Sequence, residues 1–595
     1  VNENTPPPLD LKPNDRLAVR FTPERLTAQP LDDDGNVRGT TVKAADGPAA
    51  LRGLLGGPTT GDDPGDYAIV DLDFRRADSE GGVETPVPPT PPTPPVPPTP
   101  PVPPTPPQPE NGFSREPIAL TNTANADRIQ PTQTETLTST ALTFEQLDPI
   151  LKRGNTRVRV PAGSVYDGPS LTLASNTILE SYGSGPRPRF RFRLSSFGKL
   201  QGFGGRGYQK NAGDPYPTLE NILVRGISVE AFGRESGSPD GAGFAFVQIL
   251  GGNYIISDCD VRGFTDGFVI QDNTTGPHPR TVLNYVAGVR IERTLVLDSH
   301  YDQRVSTVRA NGIFAEAVEG LEIIDCWFDH NGWSDAPGNE GTPFNHNIYL
   351  NYTCRQATVQ NTGLTRASSH GAQLRSGGNF IDNFVDHCPM GVAVYDRPSL
   401  FKGNVITRSN DLPLTFTGDY RLGLGLETKI CEHLRVHDNV FAKKEGNATW
   451  FPAFLSSSNN ETVTRQVKEA STGQLRPSRI FADNNRIYRW AGTEFPGSWY
   501  GSSRNQDERF TNPDLFTAGT NYDANPDNVP FQFTDPLRTV ERYCNEKLGV
   551  PAQNVDDATA EIRRRLLARD SGAWPQDVQA RTINAWIRSG FDLVN

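Results

Sequence analysis

Short alternating apolar segments recur at a near-constant interval through the middle of this chain, and that recurrence restricts the fold more than any other feature. HNIYLN (346–351), HGAQLRS (370–376), MGVAVYD (390–396) and LPLTFTG (412–418) read as stacked lines. Between them lie ATVQNTGL (357–364), FIDNFV (380–385) and LFKGNVI (400–406). Asn361, Asn383 and Asn404 share one register, 22 and then 21 residues apart. A fixed period with apolar alternation describes a solenoid of stacked turns. Helical repeats need about 33 residues or more. A period near 21 fits three short strands and three turns, one coil of a parallel β-helix. The same slot holds Gly226, Cys259, Thr294 and Cys326 upstream, and Asn439 and Asn485 downstream, at intervals of 33, 35, 32, 35, 22, 21, 35 and 46. The long intervals are coils carrying inserted loops, which in repeat proteins gather on one face. The slot asparagines read as structural, bonding to one another up the stack.

A solenoid does not occupy all 595 residues. Residues 1–83 form a small β-rich attachment domain with strand-like LAVRF (17–21), TTVKA (40–44) and YAIVDLDF (67–74) and one short helix near 49–55. Residues 84–140 are a stalk and polar linker, and 84–109 are dominated by Pro-Pro-Thr and Pro-Val runs. Proline fixes φ and removes donors, so this stretch is an extended polyproline II rod of roughly 75–80 Å. Residues 141–495 are the solenoid, opened by an amphipathic helix over ALTFEQLDPILKRG that plugs its end. Residues 496–595 are a loop region and a helical cap for the far end, with apolar stripes at Leu537, Val540, Cys544 and Leu548, at Ile562, Leu566 and Leu567, and at Val578, Ile583, Trp586 and Ile587.

The helix, the V-x-V-P-A-G turn at 158–163 and the stacked strands after it resemble the right-handed parallel β-helix superfamily of polysaccharide lyases, glycoside hydrolases, uronate epimerases and phage tailspikes. The fold class expected is therefore an all-β solenoid. It is a right-handed parallel β-helix with an N-terminal helical cap, a C-terminal helical module and a separate N-terminal domain. The resemblance covers about 142–490 and is architectural. Neither the acidic calcium cluster of pectate lyases nor the Asp-Pro-His-Asp motif of alginate epimerases stands in this sequence, so the fold leaves the activity open.

Composition narrows the partner. Seventy acidic against 58 basic residues, net −12, argue against nucleic acid, while a local basic groove would still accept an acidic polysaccharide. No apolar run is long enough to span a membrane. The six cysteines match no metal spacing and read as buried thiols. No cofactor is expected; calcium in the loops is left open.

Alternation sorts the repeated strand into two faces. Ile313, Ala315, Ile348, Leu350, Ala372, Leu374, Val392, Val394, Leu414 and Phe416 point inward. An exposed ladder of Gln271, Glu316, Asn351, Arg375, Tyr395 and Thr417 points outward, beside a second row of Val269, Phe314, Tyr349, Gln373 and Ala393. His346 and His370 share a position on adjacent coils. The flanking insertions add Trp333, Asp302 and Asp335, together with Tyr301, Arg304 and Glu340. Such a surface suits sugars, which stack on aromatic faces and bond to guanidinium and carboxylate groups.

Two chemistries fit. In β-elimination Arg375 would neutralise a uronate carboxylate while Tyr349 or His370 takes the C5 proton. In hydrolysis Glu316 would need a second carboxylate, from Asp302, Asp335 or Glu340, about 5–9.5 Å away. Elimination is favoured because its groups already occupy neighbouring rungs. The expectation is an extracellular, cell-surface or virion-surface protein that binds and cleaves an acidic polysaccharide. The rival is a non-enzymatic stalked adhesin, tailspike or structural surface component that recognises glycan or assembles, as a homo-oligomer or in a larger array, through residues 1–83.

Overall fold

In the computed structural model of the chain, residues 16–22, 25–31, 42–44, 116–120, 122–193, 203–206, 218–232, 241–247, 250–271, 285–301, 309–335, 341–355, 357–409, 423–431, 433–442, 453–456, 466–468, 475–477, 479–490, 500–502, 516–524, 533–570 and 572–593 are described. The chain divides into two compact units, Val1–Pro104 and Thr105–Asn595. In the first, Arg16–Thr22, Arg25–Leu31 and Val42–Ala44 form an antiparallel sheet. The middle strand was not anticipated. The expected strand 67–74, the helix near 49–55 and the proline stretch 84–109 lie outside the described residues.

The second unit is a right-handed parallel β-helix, the hand that parallel crossovers between strands of L-residues take. Three parallel sheets of 13, 12 and 11 strands run its length. Each coil passes from the 13-stranded sheet to the 12-stranded and then to the 11-stranded one, as in Val318–Ile324, Trp327–Asp329 and Ile348–Leu350. The inward residues from Ile313 to Val394 are all buried and belong to one continuous core, while Leu414 and Phe416 lie outside the described residues. Like residues meet their equivalents one coil on: Phe203, Phe244 and Phe268 stack at 5.6 and 5.1 Å, and Phe380 lies on Phe401 at 5.2 Å. At roughly 1.5–3 kcal/mol per buried large side chain, this column is the main stabilising term of the unit. Paired strands continue to Tyr522–Ala524, beyond the boundary expected at 495.

The corner between the 13- and 12-stranded sheets is a left-handed residue followed by the stacked slot. Gly226, Asp258, Arg293, Asp325, Asn361, Asp382, Gly403, Asp438 and Asn484 all have φ between 45° and 70°. This corrects the register at two points. Asn361 is the turn residue and Thr362 fills the slot, accepting Cys326 N–H on Oγ1 (3.3 Å) and donating its own N–H to Asn383 Oδ1 (2.9 Å). Likewise Gly226 is the turn and Ile227 the slot. From Asn383 on, the amides form a ladder: Nδ2 to the next Oδ1 at 3.2, 3.0, 2.8 and 2.8 Å through Asn404, Asn439, Asn485 and Asn521. Asn404 also takes Asn383 N–H (2.9 Å) and gives Nδ2–H to Phe380 O (2.9 Å), all without exposure. Asn404→Ala orphans several buried groups at about 1–3 kcal/mol each. A loss of about 3 kcal/mol in urea unfolding is expected, with a smaller loss for Asn404→Thr, a residue the slot already accepts.

Two of the three outer faces are covered by the chain itself. Residues 118–120 and 122–132 run across the 13-stranded sheet, held by reciprocal pairs with asparagine amides. Ile118 N–H meets Asn379 Oδ1 and Asn379 Nδ2–H meets Ile118 O, both at 2.9 Å. Asn253 grips Asn125 (2.6 and 3.1 Å) and Asn176 grips Gln130 (3.0 and 3.0 Å) in the same way. Ala124 and Ile129 cover Ile178, Leu223 and Ile255. Where the strap crosses Gly288, a Cβ would stand 2.3 Å from Thr123 Oγ1, so only glycine admits it. The helix Phe144–Leu151 then closes the first coil with Phe144, Leu147 and Leu151 in the core.

The C-terminal helices Val540–Tyr543 (continued by a π turn, Cys544–Leu548), Val555–Leu567 and Ala580–Gly590 do not act as a plug on the far end. They pack along the flank of the 12-stranded sheet, where Leu295, Leu297, Trp327, Phe384, Val405, Val440 and Ala442 share one apolar cluster with Val540, Ile562, Leu566, Ile583 and Ile587. The first helix starts at N-cap Thr539 rather than Asp535, and Leu537 stays exposed. Ion pairs pin the flank, most of them buried. Arg366 bonds buried Asp329 and exposed Asp556, Arg563 bonds Asp329, Arg569 bonds Asp260, and Arg408 joins Asp386 to Glu541.

Candidate functional site

Among the described residues, neither the strap nor the helices cover the 11-stranded sheet, and its outer face carries the ladder read from the sequence. Pairing places Gln271 beside Glu316, and Phe314 beside Tyr349, Gln373, Ala393 and then Glu427. The expected last rung on 412–418 is corrected here. The strand that pairs with Met390–Asp396 is Leu424–Cys431, so Glu427 takes the place after Ala393 in the second row, and Thr417 lies outside the described residues.

An aromatic shelf forms on this face. Phe314 and Tyr349 stack at 5.5 Å, His346 lies on Tyr349 at 5.4 Å, and His370 lies 5.2 Å from His346. The Arg375 guanidinium stands over the Tyr349 ring at 5.4 Å. Both histidines are buried. Burial, then the charges of His370, Arg375 and Arg309, holds His346 well below its ordinary value, so the ring is neutral. His370 Nε2 meets Glu427 Oε2 at 3.2 Å across two strand spacings, the small Ala393 standing between their strands. Burial raises the Tyr349 phenol, with Arg375 opposing, so it stays protonated at neutral pH. Burial likewise raises Glu316, which accepts Gln271 Nε2–H at 2.7 Å.

Two polar atoms here lack hydrogen-bond partners among the described residues: Gln373 Oε1, on a side chain 6% exposed, and Arg375 Nε. Buried polar atoms are almost always satisfied, and these two leave an acceptor and a donor of this face without a protein partner.

Other expected contributors stand elsewhere or are otherwise engaged. Trp333 packs edge-on against His330 (4.2 Å) and donates Nε1–H to Arg366 O (2.8 Å), at the corner that follows the 12-stranded sheet. Asn351 Oδ1 accepts Thr353 N–H (3.3 Å) in a local turn. Tyr395 is buried at the irregularity between Val394 and Asp396. Asp335 is exposed, and Asp302 lies outside the described residues. Glu316 and Glu427 are four strand spacings apart, about 19 Å at about 4.8 Å each. That separation exceeds the 5–9.5 Å range of a glycosidase pair. Glu427 was missed because LPLTFTG offered equally good alternation one loop too early. Its alternating LGLET context was the available signal. Among the described residues no three potential ligands gather around a metal position, and no helix is long and apolar enough to cross a membrane.

No family model matches the chain, and no curated protein matches it. Similar solved structures include a mutant of the periplasmic alginate epimerase AlgG, 10% identical over 65% of this chain and 85% of that one, with a TM-score of 0.28. Another is the tailspike gp49 of Acinetobacter baumannii bacteriophage Fri1, a capsular polysaccharide depolymerase, 11% identical over 65% and 63%, TM-score 0.29. A third is tailspike protein 3 of bacteriophage CBA120, 10% identical over 66% and 62%, TM-score 0.24. Likenesses at this level carry no argument about activity.

Proposed function

We propose that this face binds an acidic polysaccharide and opens its chain by β-elimination. The observation that carries the reading is the pair of orphaned polar atoms on Gln373 and Arg375, set against an aromatic shelf and a histidine held by a carboxylate. Elimination needs a cation at the uronate carboxylate, a base for the C5 proton and an acid for the leaving oxygen. Arg375 supplies the first. Glu427 accepts a hydrogen bond from His370 Nε2–H, which puts the basic lone pair on Nδ1, where Ser369 Oγ stands at 3.4 Å and would give way to the substrate. Nδ1 takes the C5 proton, the C4–C5 double bond forms, and the C4–O bond breaks. The departing oxygen takes the proton of the Tyr349 hydroxyl. Gln373 Oε1 accepts a sugar hydroxyl. A hydrolytic reading loses support because no carboxylate pair of suitable separation stands among the described residues of the face.

The test is incubation of the purified protein with a panel of uronate-containing polysaccharides. A rise in ultraviolet absorbance from the new double bond is expected. New reducing ends without that rise would replace elimination by hydrolysis. Binding without either would leave recognition alone, the stalked-adhesin reading, with residues 1–83 as its assembly contact.

A further inference from the structure

His346 is a polar member of the aromatic shelf that elimination leaves without a task. Its surroundings fix which ring nitrogen carries the proton. The backbone N–H of His370 donates to His346 Nδ1 at 3.4 Å, so Nδ1 holds a lone pair there. A neutral ring then carries its proton on Nε2. That nitrogen has no hydrogen-bond partner among the described residues, and it is not one of the fully enclosed orphan atoms.

The ring is also held rigidly. It stacks on Tyr349 at 5.4 Å with 10° between the planes and is only 2% exposed. Its backbone N–H donates to Asn311 Oδ1 at 3.0 Å. On one side in the chain, Asn345 joins Ala310 N–H (3.1 Å) to Gly332 O (2.8 Å). On the other, Asn347 donates to Thr365 O (3.0 Å) and accepts from Asn331 Nδ2 (2.8 Å). Asn311, Asn345 and Asn347 are all buried, and a satisfied buried network of this kind fixes the backbone it holds. The charged and titratable groups acting on the ring are His370, Arg375 and Arg309, with the Tyr349 phenol stacked beside it. The guanidiniums disfavour another positive charge at this place and favour an anion beside it.

We propose that His346 acts as a neutral hydrogen-bond donor, its Nε2–H given to the uronate carboxylate that Arg375 neutralises. No proton is transferred from it. As C5 loses its proton to His370 Nδ1, negative charge grows on that carboxylate, and a donor already in position stabilises it without reorganisation. This rests on the elimination reading of the face given above.

Two measurements on the full chain test it. In nitrogen-15 histidine NMR, with His346→Gln identifying the signal, the Nε2–H tautomer is expected to persist from about pH 8 to about pH 5, the range in which an ordinary imidazole protonates. A uronate oligosaccharide should shift that signal in the His370→Ala background, which retains the backbone N–H and keeps the oligomer intact. In initial rates, His346→Phe keeps the stack and removes the donor. It should lower kcat by about 10²–10³-fold, with little change in KM and an unchanged shape of the pH–rate profile. His346→Gln places an amide N–H near the position of Nε2 and should recover about tenfold of that loss or more. A proton on Nδ1, a charged ring at neutral pH, a lost limb of the profile in His346→Phe, or His346→Gln no better than His346→Phe would overturn the proposal. Should His346→Phe fail to fold, the NMR measurements decide alone. If the unmodified protein eliminates nothing, the elimination reading falls by itself and the oligosaccharide titration decides the donor. A shifted Nε2 signal then upholds it, and binding without a shift, or no binding, overturns it.

Discussion

Arg375→Ala is expected to reduce elimination by about 10²–10³-fold, the usual effect of removing one group that stabilises developing charge in a water-poor site. Abstraction at C5 places negative charge on the uronate carboxylate, and the guanidinium is the cation that stands over the Tyr349 shelf. The loss should fall mainly on kcat, because the charge on the carboxylate grows only in the transition state. Arg375→Lys should restore little, since an ammonium cannot reproduce the two-pronged donor geometry. His370→Ala should cost about 10²–10⁴-fold as a lost general base. Glu427→Gln should cost less, because it removes the charged partner of His370 Nε2 and leaves the imidazole in place. Initial rates by ultraviolet absorbance check all four. A variant without Arg375 that keeps wild-type kcat would remove this groove from the chemistry.

Much of the layout of this face could be read from the amino-acid order, because a solenoid turns alternation directly into position. The inward residues from Ile313 to Val394 were recovered because strand side chains alternate with a period of two. Phe314, Tyr349 and Gln373 fell on one row because successive coils repeat the same short strand. What failed were insertions, since a loop of unknown length adds no phase. LPLTFTG satisfied the alternation that Leu424–Cys431 satisfies in the structure, and Glu427 was lost with it. One-residue errors at Asn361 and Gly226 have a related cause. The turn residue and the slot residue are adjacent, and Asn suits both a left-handed turn and a stacked amide.

The flank was misjudged for a different reason. Leu295–Leu297, Trp327–Asp329, Phe384–Asp386 and Val405–Thr407 are apolar on both sides of the strand, with few polar alternations. Parallel strands buried on both faces read this way. The C-terminal helices are what buries the second face, so their place along the side was implied by the strands they cover rather than by their own stripes. The strap left a similar trace. Asn155, Asn176 and Asn253 are left-handed residues with amides turned outward, and those amides take up the backbone of Thr132, Gln130 and Asn125.

Asp386→Ala is expected to destabilise the β-helix unit by about 3–5 kcal/mol, the cost of breaking a buried ion pair from one side. Asp386 has no exposure, and Arg408 bonds it through Nε at 3.1 Å and Nη2 at 2.5 Å while reaching Glu541 on the first C-terminal helix. Without the carboxylate, Arg408 keeps its burial and one partner. Replacing Asp386, Arg408 and Glu541 together by apolar residues of similar size should cost far less, because no charge is then left stranded. Acid should release the same flank. Burial pushes Asp329 up, but Arg366 and then Arg563 outweigh it and hold the carboxyl at about 2, below the ordinary 3.8. A depressed carboxylate stabilises the folded state above its unfolded value and loses that contribution as pH falls toward the folded one. The contribution, on the order of 2 kcal/mol, is therefore complete at neutral pH and disappears between about pH 4 and 2. Trp574 and Trp586 lie in the helical module and Trp327 beneath it, so tryptophan fluorescence followed from pH 7 to 2 reports the detachment. A signal flat to pH 5 and falling below 4 is expected, and Asp386→Ala should move the fall to higher pH. A flank that stays docked at pH 2, or a variant as stable as the parent, would mean that the apolar cluster alone holds the helices in place.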